Sequence, residues 1–350
     1  MKRKILFALL TGLMVISVVA CGNNAPSEKS TSNMVIGTSE IDVTTAIRDI
    51  DICSGYVVVQ GEDNGLYAMG RDTVGEFGIG QEELSDLTLV AKDVETFDFA
   101  YNYIDTNGDL YITGTWWGDE TKTEFSKVDS DAYSYCDDFG TYLVALKDGS
   151  TSVHMNNSLK YFDEAAFQKY KDVNNMLYPF LCFEVTGYVS TEGDVYLLND
   201  NGNFDKLIDG NVAKQPYIRN DDIYFLVDDK LYCYGTGDGE CEYALVEIDS
   251  NVVSLDDGTY TKSDGSIYYA TATKGVSVLN FLIGLDESNV DKVLYCQIYG
   301  LTDYGIFIVY KSINGKLVYS TLNSATYKLD TIEYNYTLEG VQQLYRDFSS

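Results

Sequence analysis

The chain has 350 residues and a single histidine, His154, so any catalytic scheme built on paired histidines is excluded. His154 follows Val153 in a stretch with no serine or cysteine at a recognisable nucleophile spacing, which favours a structural role. The Gly-x-Ser-x-Gly nucleophile elbow and the glycine-rich phosphate loops are absent. The 54 acidic residues include no assignable carboxylate pair for glycoside hydrolysis. We therefore expect no catalytic residues, no cofactor and no enzymatic activity.

One segment has the residue spacing of a loop that binds a hard cation. Residues 105–109 read DTNGD, which places carboxylate and amide oxygens at alternate positions. The sixth position of such a loop is normally glycine and the twelfth glutamate, but here they are Leu110 and Trp116. A hairpin turn explains the segment better than a metal site, and the same holds for the acidic turn at residues 199–205. A cation shared by several such turns stays open as an alternative.

Seven cysteines are present, and an even number of six follows Cys21, so disulfides are open to an exported protein. Four of them stand just before runs rich in valine, isoleucine and tyrosine and are interpreted as small buried thiols. These four are Cys53, Cys136, Cys182 and Cys296. Cys233 and Cys241 lie symmetrically about Gly237, so a hairpin there makes them the candidate disulfide. No Cys-x-x-Cys occurs, and neither a zinc site nor a redox site is expected.

Aromatic residues supply the candidate ligand contacts. Trp116 and Trp117 are adjacent in a glycine-flanked segment, and exposed aromatic side chains beside carboxylates bind sugar rings and protein hot spots. The alternative is an aromatic plug between two structural repeats. Five tyrosines take one position of a repeat and are interpreted as packing residues: Tyr67, Tyr111, Tyr196, Tyr232 and Tyr268.

The charge balance limits the choice of partners. Acidic residues outnumber basic ones by 54 to 24, which gives a formal net charge of −30. Such a charge repels phosphate backbones and anionic lipid headgroups, so no nucleic-acid partner is expected. Hydrophobic residues make up 45% of the chain, which is enough to bury a core rather than to form a disordered acidic tail.

The N-terminal residues have the pattern of an export signal. Three basic residues at positions 2–4 precede an apolar run over residues 5–19, which is too short to span a bilayer. Residues 18–21 (VVAC) resemble the lipobox of bacterial lipoproteins. The resemblance implies a signal peptide over residues 1–20, lipidation of Cys21, and an extracytoplasmic protein anchored to the bacterial membrane. An ordinary secretory signal is the alternative. Residues 21–39 then form a flexible tether before a domain over residues 40–350.

A repeat organises that domain. A turn rich in aspartate, asparagine and glycine, followed by an apolar residue and usually a tyrosine, recurs about every 42 residues. The seven turns lie at residues 62–65, 105–109, 147–150, 191–194, 228–230, 263–266 and 313–316. Asn-Gly and Asp-Gly favour tight hairpins, and four short strands fit into each repeat. The pattern predicts an all-β fold, a seven-bladed β-propeller. The terminal residues 338–348 either add a strand to the first blade or cap it.

The first repeat resembles the regulator of chromosome condensation repeat family. The glycines of that motif are matched by Gly65, Gly70, Gly75, Gly78 and Gly80. Later copies keep only the hairpin, as at Gly114 and Gly235. The resemblance implies a propeller, whereas the nucleotide-exchange role of that family belongs to another compartment and is not carried over.

These observations lead to an expected function. We expect a lipid-anchored, non-catalytic binding scaffold that presents propeller loops to another protein of the cell envelope. Binding of a cell-surface glycan or polysaccharide through exposed aromatics is the alternative. A lyase or hydrolase acting on one propeller face is a weaker third option.

Overall fold

The computed structural model describes most of the chain from Ile41 to Ser349. The described residues are 41–53, 55–71, 77–79, 83–98, 102–113, 124–138, 141–155, 168–182, 185–199, 201–212, 214–219, 222–235, 243–256, 258–270, 282, 284–298, 306–323 and 328–349. No helix within these residues is long and apolar enough to cross a membrane.

Twenty-six strands form seven antiparallel sheets, one per sequence repeat, and the sheets are the blades of a ring. Blade 1 contains β1 (Ile47–Cys53), β2 (Tyr56–Gly61), β3 (Leu66–Arg71) and β4 (Glu83–Ala91). Blade 2 contains β5 (Val94–Asp98), β6 (Asn102–Asp105), β7 (Leu110–Ile112) and β8 (Ser126–Asp129). Blade 3 contains β9 (Ala132–Asp138), β10 (Thr141–Leu146) and β11 (Thr151–Met155). Blade 4 contains β12 (Met176–Cys182), β13 (Val185–Ser190), β14 (Val195–Leu198) and β15 (Phe204–Ile208).

The remaining blades follow in chain order. Blade 5 contains β16 (Tyr217–Arg219), β17 (Asp222–Val227), β18 (Lys230–Gly235) and β19 (Ala244–Ser250). Blade 6 contains β20 (Val252–Asp256), β21 (Thr259–Lys262) and β22 (Ile267–Tyr269), and blade 7 contains β23 (Val290–Ile298), β24 (Ile306–Ser312), β25 (Lys316–Asn323) and β26 (Lys328–Asn335). Two 3-10 turns (Lys169–Asp172 and Glu287–Asn289) and the helix α1 (Leu338–Ser349) complete the described elements. The predicted seven-bladed β-propeller is confirmed.

All seven predicted turns join the second strand of a blade to its third. Each turn holds one residue with a positive φ, the conformation that asparagine, aspartate and glycine adopt most readily. These residues are Asn64, Gly108, Gly149, Gly193, Asp228, Gly265 and Gly315. The turns therefore lie at one end of every blade, and we call that side of the ring the turn face.

The turns also join neighbouring blades. In five places the first strand of one blade, or the residue that leads into it, donates a backbone N–H to a turn carbonyl of the blade before it. The pairs are Val94 to Asn64 (2.8 Å), Ala132 to Gly108 (2.8 Å), Met176 to Gly149 (2.9 Å), Val212 to Gly193 (3.1 Å) and Val252 to Asp229 (2.9 Å). In four of them the accepting residue is the one with positive φ, because that residue ends its own hairpin pairing and leaves its carbonyl for the next blade.

The residue after each turn carries the core of its blade. The apolar member of the repeated pair is at most 2% exposed in blades 1, 2, 4, 5, 6 and 7 (Leu66, Leu110, Val195, Leu231, Ile267 and Leu317). Burying one such side chain stabilises the fold by about 1.5–3 kcal/mol. The tyrosine beside it stacks on a cross-strand tyrosine in blades 2, 4 and 6, with ring centroids 4.9–5.2 Å apart. The predicted packing role of Tyr111, Tyr196 and Tyr268 agrees with this geometry.

Helix α1 closes the ring between blades 7 and 1. Leu338, Val341 and Leu344 pack in one buried cluster with side chains of β1 and β2 on one side and β24 and β25 on the other. The N–H groups of Leu338 and Glu339 donate to the carbonyls of Thr45 (3.0 Å) and Val43 (2.9 Å).

The expectation that residues 338–348 add a strand to blade 1 is wrong, and the capping alternative is right. Residues 47–91 alone supply all four strands of blade 1, so the sheet has no missing edge strand. The apolar residues of α1 recur every three positions, which places them on one helical face rather than on alternate sides of a strand.

Replacement of Leu344 by alanine tests this closure. Leu344 is 3% exposed, so we expect Leu344→Ala to lower the free energy of unfolding by about 2–4 kcal/mol. The neighbouring Gln343 is exposed, and Gln343→Ala should change it by less than about 0.5 kcal/mol. Urea denaturation followed by circular dichroism measures both. Equal effects of the two variants would show that α1 does not hold the ring closed.

Candidate functional site

The first strand of each blade lies nearest the centre of the ring. The hydroxyl of Ser134 on β9 donates to the carbonyl of Leu177 on β12. The side chain of Gln215, just before β16, donates to the carbonyl of Tyr135 on β9 (3.1 Å). The second contact joins blades 5 and 3, which are not neighbours, and such an approach requires that both segments line the central channel.

Six blades have a β-bulge at the same place, near the start of the first strand at the turn face. In six blades one extra residue opposes the second strand: Arg48, Glu95, Tyr133, Leu177, Val253 and Asp291. In blade 5 two extra residues lie between Val212, which pairs with Val227, and Tyr217, which pairs with Tyr224. A bulge re-aims the side chain of its extra residue. We call the six residues the rim of the channel.

The rim divides into a charged arc and an apolar arc. On blades 7, 1 and 2 it carries Asp291, Arg48 and Glu95, and the last two form an ion pair of 3.7 Å across the seam between blades. On blades 3, 4 and 6 it carries Tyr133, Leu177 and Val253. Tyr133 is 46% exposed and Val253 is 59% exposed. Blade 5, with the exposed Lys214 before its first strand, lies between Leu177 and Val253, so the apolar arc is interrupted and is not one continuous patch.

Tyr133 leans on Tyr178 of the next blade. Their ring centroids are 5.8 Å apart and their hydroxyl oxygens 3.4 Å apart. Burial and the hydrogen bond with Tyr133 raise the pKa of the Tyr178 hydroxyl above its usual range. The Tyr178 side chain is therefore a neutral phenol at physiological pH, suited to contact and hydrogen bonding rather than to proton abstraction.

A cavity opens beside the rim, between blades 6 and 7. It has a volume of about 930 Å³ and includes Val253 and Asp291 of the rim among its lining residues. Three carboxylates, Asp264, Asp286 and Glu287, also line it. We call this cavity the 6–7 cleft.

The only histidine is part of a contact between blades 2 and 3. His154 Nε2 lies 2.8 Å from Asp129 Oδ2 and 3.0 Å from Ser152 Oγ. A Ser-His-Asp triad needs the carboxylate on one ring nitrogen and the hydroxyl on the other, whereas here both contact Nε2. Burial raises the pKa of the Asp129 carboxyl, but the hydrogen bonds from His154 and Ser152 outweigh it and leave that pKa below its usual range. The geometry is that of a structural histidine.

Sequence reasoning missed Ser152 and Asp129 as partners of His154. Ser152 and His154 alternate on β11, and this spacing, which places their side chains on one face of a strand, was the available signal. Asp129 comes from the blade before, and no local pattern in the sequence indicates that contact.

The DTNGD segment forms the predicted hairpin turn. One oxygen of Asp105 accepts the backbone N–H groups of Asn107 (2.9 Å) and Asp109 (2.8 Å). Asp109 pairs with Lys127 at 2.6 Å. The amide oxygen of Asn199 serves its own turn in the same way, by accepting from Asn201 and Asn203. Within the described residues, no group of three or more His, Cys, Asp or Glu side chains could hold a metal ion.

The predicted site residues are only partly described. Cys21, Trp116, Trp117, Gly75, Gly80 and Cys241 lie outside the described residues, so lipidation, tryptophan contact and the Cys233–Cys241 disulfide stay predictions. Cys233 is a buried thiol whose pKa is raised to about 12, mainly by burial, and its cross-strand neighbour is Val246. Cys136 and Cys296 are buried, as expected.

Two motif glycines of the first repeat occupy positions that exclude a side chain. Gly70 has φ +117° and lies against the carbonyl of Gly55, and Gly78 has φ +65° and lies against the ring of Phe125. Gly65 lies beside the ring of Tyr67. These glycines serve packing of blade 1 and its connections.

Comparisons with known proteins bear on the fold. No protein family matches the chain, and no curated protein matches it. Several solved structures are similar to it. Hsv2 of Kluyveromyces lactis matches 83% of this chain and 98% of its own, with 11% identity and a TM-score of 0.46. Human WBSCR16 matches 81% and 78%, with 12% identity and a TM-score of 0.40. Prp20p of Saccharomyces cerevisiae matches 79% and 72%, with 13% identity and a TM-score of 0.40.

The arrangement around His154 predicts that Ser152 is not a nucleophile. A fluorophosphonate probe should leave Ser152 unmodified. In a catalytic triad the carboxylate holds one ring nitrogen while the other takes the hydroxyl proton, whereas here Asp129 and Ser152 contact the same nitrogen of His154. Intact-mass measurement and peptide mapping check this, with a known serine hydrolase in the same reaction as the positive control. An adduct on Ser152 would reopen the enzymatic interpretation.

Proposed function

We propose that this chain is a non-catalytic binding scaffold, anchored outside the cytoplasm by a lipid on Cys21, which presents the turn face of its propeller to another protein of the cell envelope. The observation that carries the proposal is the rim. Six bulges at equivalent positions bring chemically different side chains to one channel mouth. A scaffold of this kind varies its ligand contacts without disturbing the blades that hold them.

The apolar arc supplies the attraction. Tyr133 and Val253 are about half exposed in the free chain, and burying an apolar side chain of this size is worth about 1.5–3 kcal/mol. Tyrosines are enriched among the residues that dominate protein interfaces. The Tyr133 ring is already positioned by Tyr178, so little side-chain entropy is lost on binding.

The charged arc supplies orientation. Arg48, Glu95 and Asp291 are exposed, and exposed charges contribute more to association rate and partner choice than to affinity. With a net charge of −30, the chain attracts basic protein surfaces and repels anionic headgroups. The propeller is thereby kept off the membrane while the tether holds it nearby.

The anchor rests on the lipobox-like residues 18–21. A diacylated Cys21 would bind the bilayer stably, because two acyl chains exceed the marginal affinity of one. A flexible tether over residues 21–39 would span about 25 Å on average. That distance allows the turn face to reach a partner at the same membrane.

A glycan ligand is the second candidate, and the Tyr133–Tyr178 pair favours it. A half-exposed aromatic ring beside a phenol hydroxyl offers a sugar both a stacking face and a hydrogen bond. Trp116 and Trp117 belong to the same hypothesis.

The experiment is an envelope pull-down with the full chain immobilised in detergent, read by mass spectrometry and by carbohydrate analysis. We expect one dominant protein, and we expect Tyr133→Asp to reduce its recovery at least tenfold because a carboxylate replaces a rim contact. Val246→Asp is the matched control: Val246 is 50% exposed but lies on β19, away from the rim. Equal recovery with Tyr133→Asp would remove the rim from the interface. Retained polysaccharide without protein would favour the glycan candidate.

The anchor has its own test. Wild-type chain expressed in a bacterial host should partition into the detergent phase of a membrane extract, and Cys21→Ser should move it to the aqueous phase because no acyl chain is attached. Cys53→Ser serves as a control for general thiol effects. Unchanged partitioning of Cys21→Ser would contradict lipidation.

A further inference from the structure

The seam between blades 6 and 7 lacks the backbone bond that joins the blades at five other seams. By analogy with the five bonded seams, Val290 should donate its N–H to the carbonyl of Gly265, but no such bond occurs between these two described residues. The N–H of Ile267 donates instead to the side chain of Glu287 (3.2 Å). This seam has a side-chain hydrogen bond where those five seams have a backbone one.

The turn of blade 6 is correspondingly uncovered. A Cβ placed on Gly149 would meet the carbonyl of Asn174 at 2.8 Å, and one on Gly193 would meet the carbonyl of Gly210 at 2.9 Å, because the next blade packs there. A Cβ placed on Gly265 would meet no atom within 4 Å. The same is true of Gly315 in the turn of blade 7, so the uncovered turns lie at the two seams that lack the backbone bond, and the 6–7 cleft is one of these two departures from the symmetry of the ring.

The cleft has an apolar component within a mostly polar lining. Ile267, Leu285 and Val293 are buried residues that line it, and the exposed Val253 stands at its rim end. Its volume of about 930 Å³ lies within the range of ligand-binding clefts, roughly 300–1,000 Å³. A side chain or a short extended segment fits such a space.

Carboxylates surround these apolar walls. Asp264, Asp286, Glu287 and Asp291 line the cleft with a single cation, Lys292. Asp291 is paired with Lys311 at 2.9 Å, while Glu287 uses one oxygen for Ile267 and has no partner for the other among the described residues. Burial and the neighbouring Asp264 raise the pKa of Glu287. A cation entering the cleft would offset the repulsion between the carboxylates of Glu287 and Asp264.

We propose that the 6–7 cleft binds an extended segment of the partner protein in which basic side chains alternate with small apolar ones. The proposal rests on the proposed function and names the chemistry of its partner. Charge complementarity selects the basic side chains, and the apolar walls select their neighbours. The N–H of Val290 donates to the carbonyl of Glu287, so among the described residues the carbonyl of Gly265 receives no backbone N–H from blade 7, and the N–H of an extended segment can take that place.

The test uses the full chain in detergent and a fluorescein-labelled nonapeptide of alternating lysine and valine, followed by anisotropy. We expect saturable binding that weakens with salt and is absent for the peptide with glutamate in place of lysine. Asp264→Asn and Glu287→Gln should each weaken binding about three- to fivefold. Val253→Arg should abolish it, because a cation then occupies the mouth of the cleft.

Blade 3 offers a matched control. Asp148 lies in an Asp-Gly-Ser turn like that of Asp264, and each carboxylate accepts from the N–H and the hydroxyl of its serine. The turn of Asp148 lies at a bonded seam, so Asp148→Asn removes the same charge without touching the cleft. We expect it to leave peptide binding unchanged.

Three outcomes would overturn the inference. They are no binding of the basic peptide, equal weakening by Asp148→Asn and Asp264→Asn, and full binding by Val253→Arg. The proposed function fails separately. If wild type and Asp264→Asn recover the partner equally, the scaffold function is supported and the role of the cleft in it is not. If the peptide binds but the pull-down recovers no partner, the cleft specificity is supported and the scaffold function is not.

Discussion

The backbone hydrogen bond from one blade to the turn of the blade before it is the interaction on which the ring depends. It occurs at five seams with N···O distances of 2.8–3.1 Å. Each bond contributes only about 1 kcal/mol of net stability, yet it fixes where the next blade begins. The turn residue with positive φ therefore acts twice, since it closes its own hairpin and positions its neighbour. Two seams lack this bond: helix α1 joins the blades at one of them, and the 6–7 cleft opens at the other.

Closure is the first of these exceptions. The last blade and the first are both complete sheets built from continuous sequence, so neither can lend a strand to the other. Helix α1 joins them instead through its apolar face. On the polar face of the helix, Arg346 (2.6 Å) and Gln342 (3.1 Å) donate hydrogen bonds to the Asp86 carboxylate on β4. The apolar contacts of α1 with both blades hold the ring closed, although no strand passes from one blade to the other.

The 6–7 cleft is the second exception, and it lies beside the apolar end of the rim. Bulges and an open seam both weaken local pairing, and proteins keep such features where a ligand supplies the missing contacts. Ser152, His154 and Asp129, by contrast, contact one another and join two blades, so this constellation has a structural use.

The sequence by itself determined the number of blades and the place of the hairpin between the second and third strands of each blade. Asn64 and Gly193 show why: a residue that tolerates positive φ, followed two residues later by a buried apolar one (Leu66, Val195), is a local requirement that can be read within six residues. The DTNGD segment was likewise readable as a turn, because Asp105 satisfies backbone groups only two and four residues away. Only the tertiary structure decided the helical closure, the rim, the open seam and the partners of His154. Those features depend on contacts between residues from 25 to 290 positions apart, such as Asp129 with His154 and Gly55 with Tyr345, and no local pattern of residue types specifies which distant backbone will arrive.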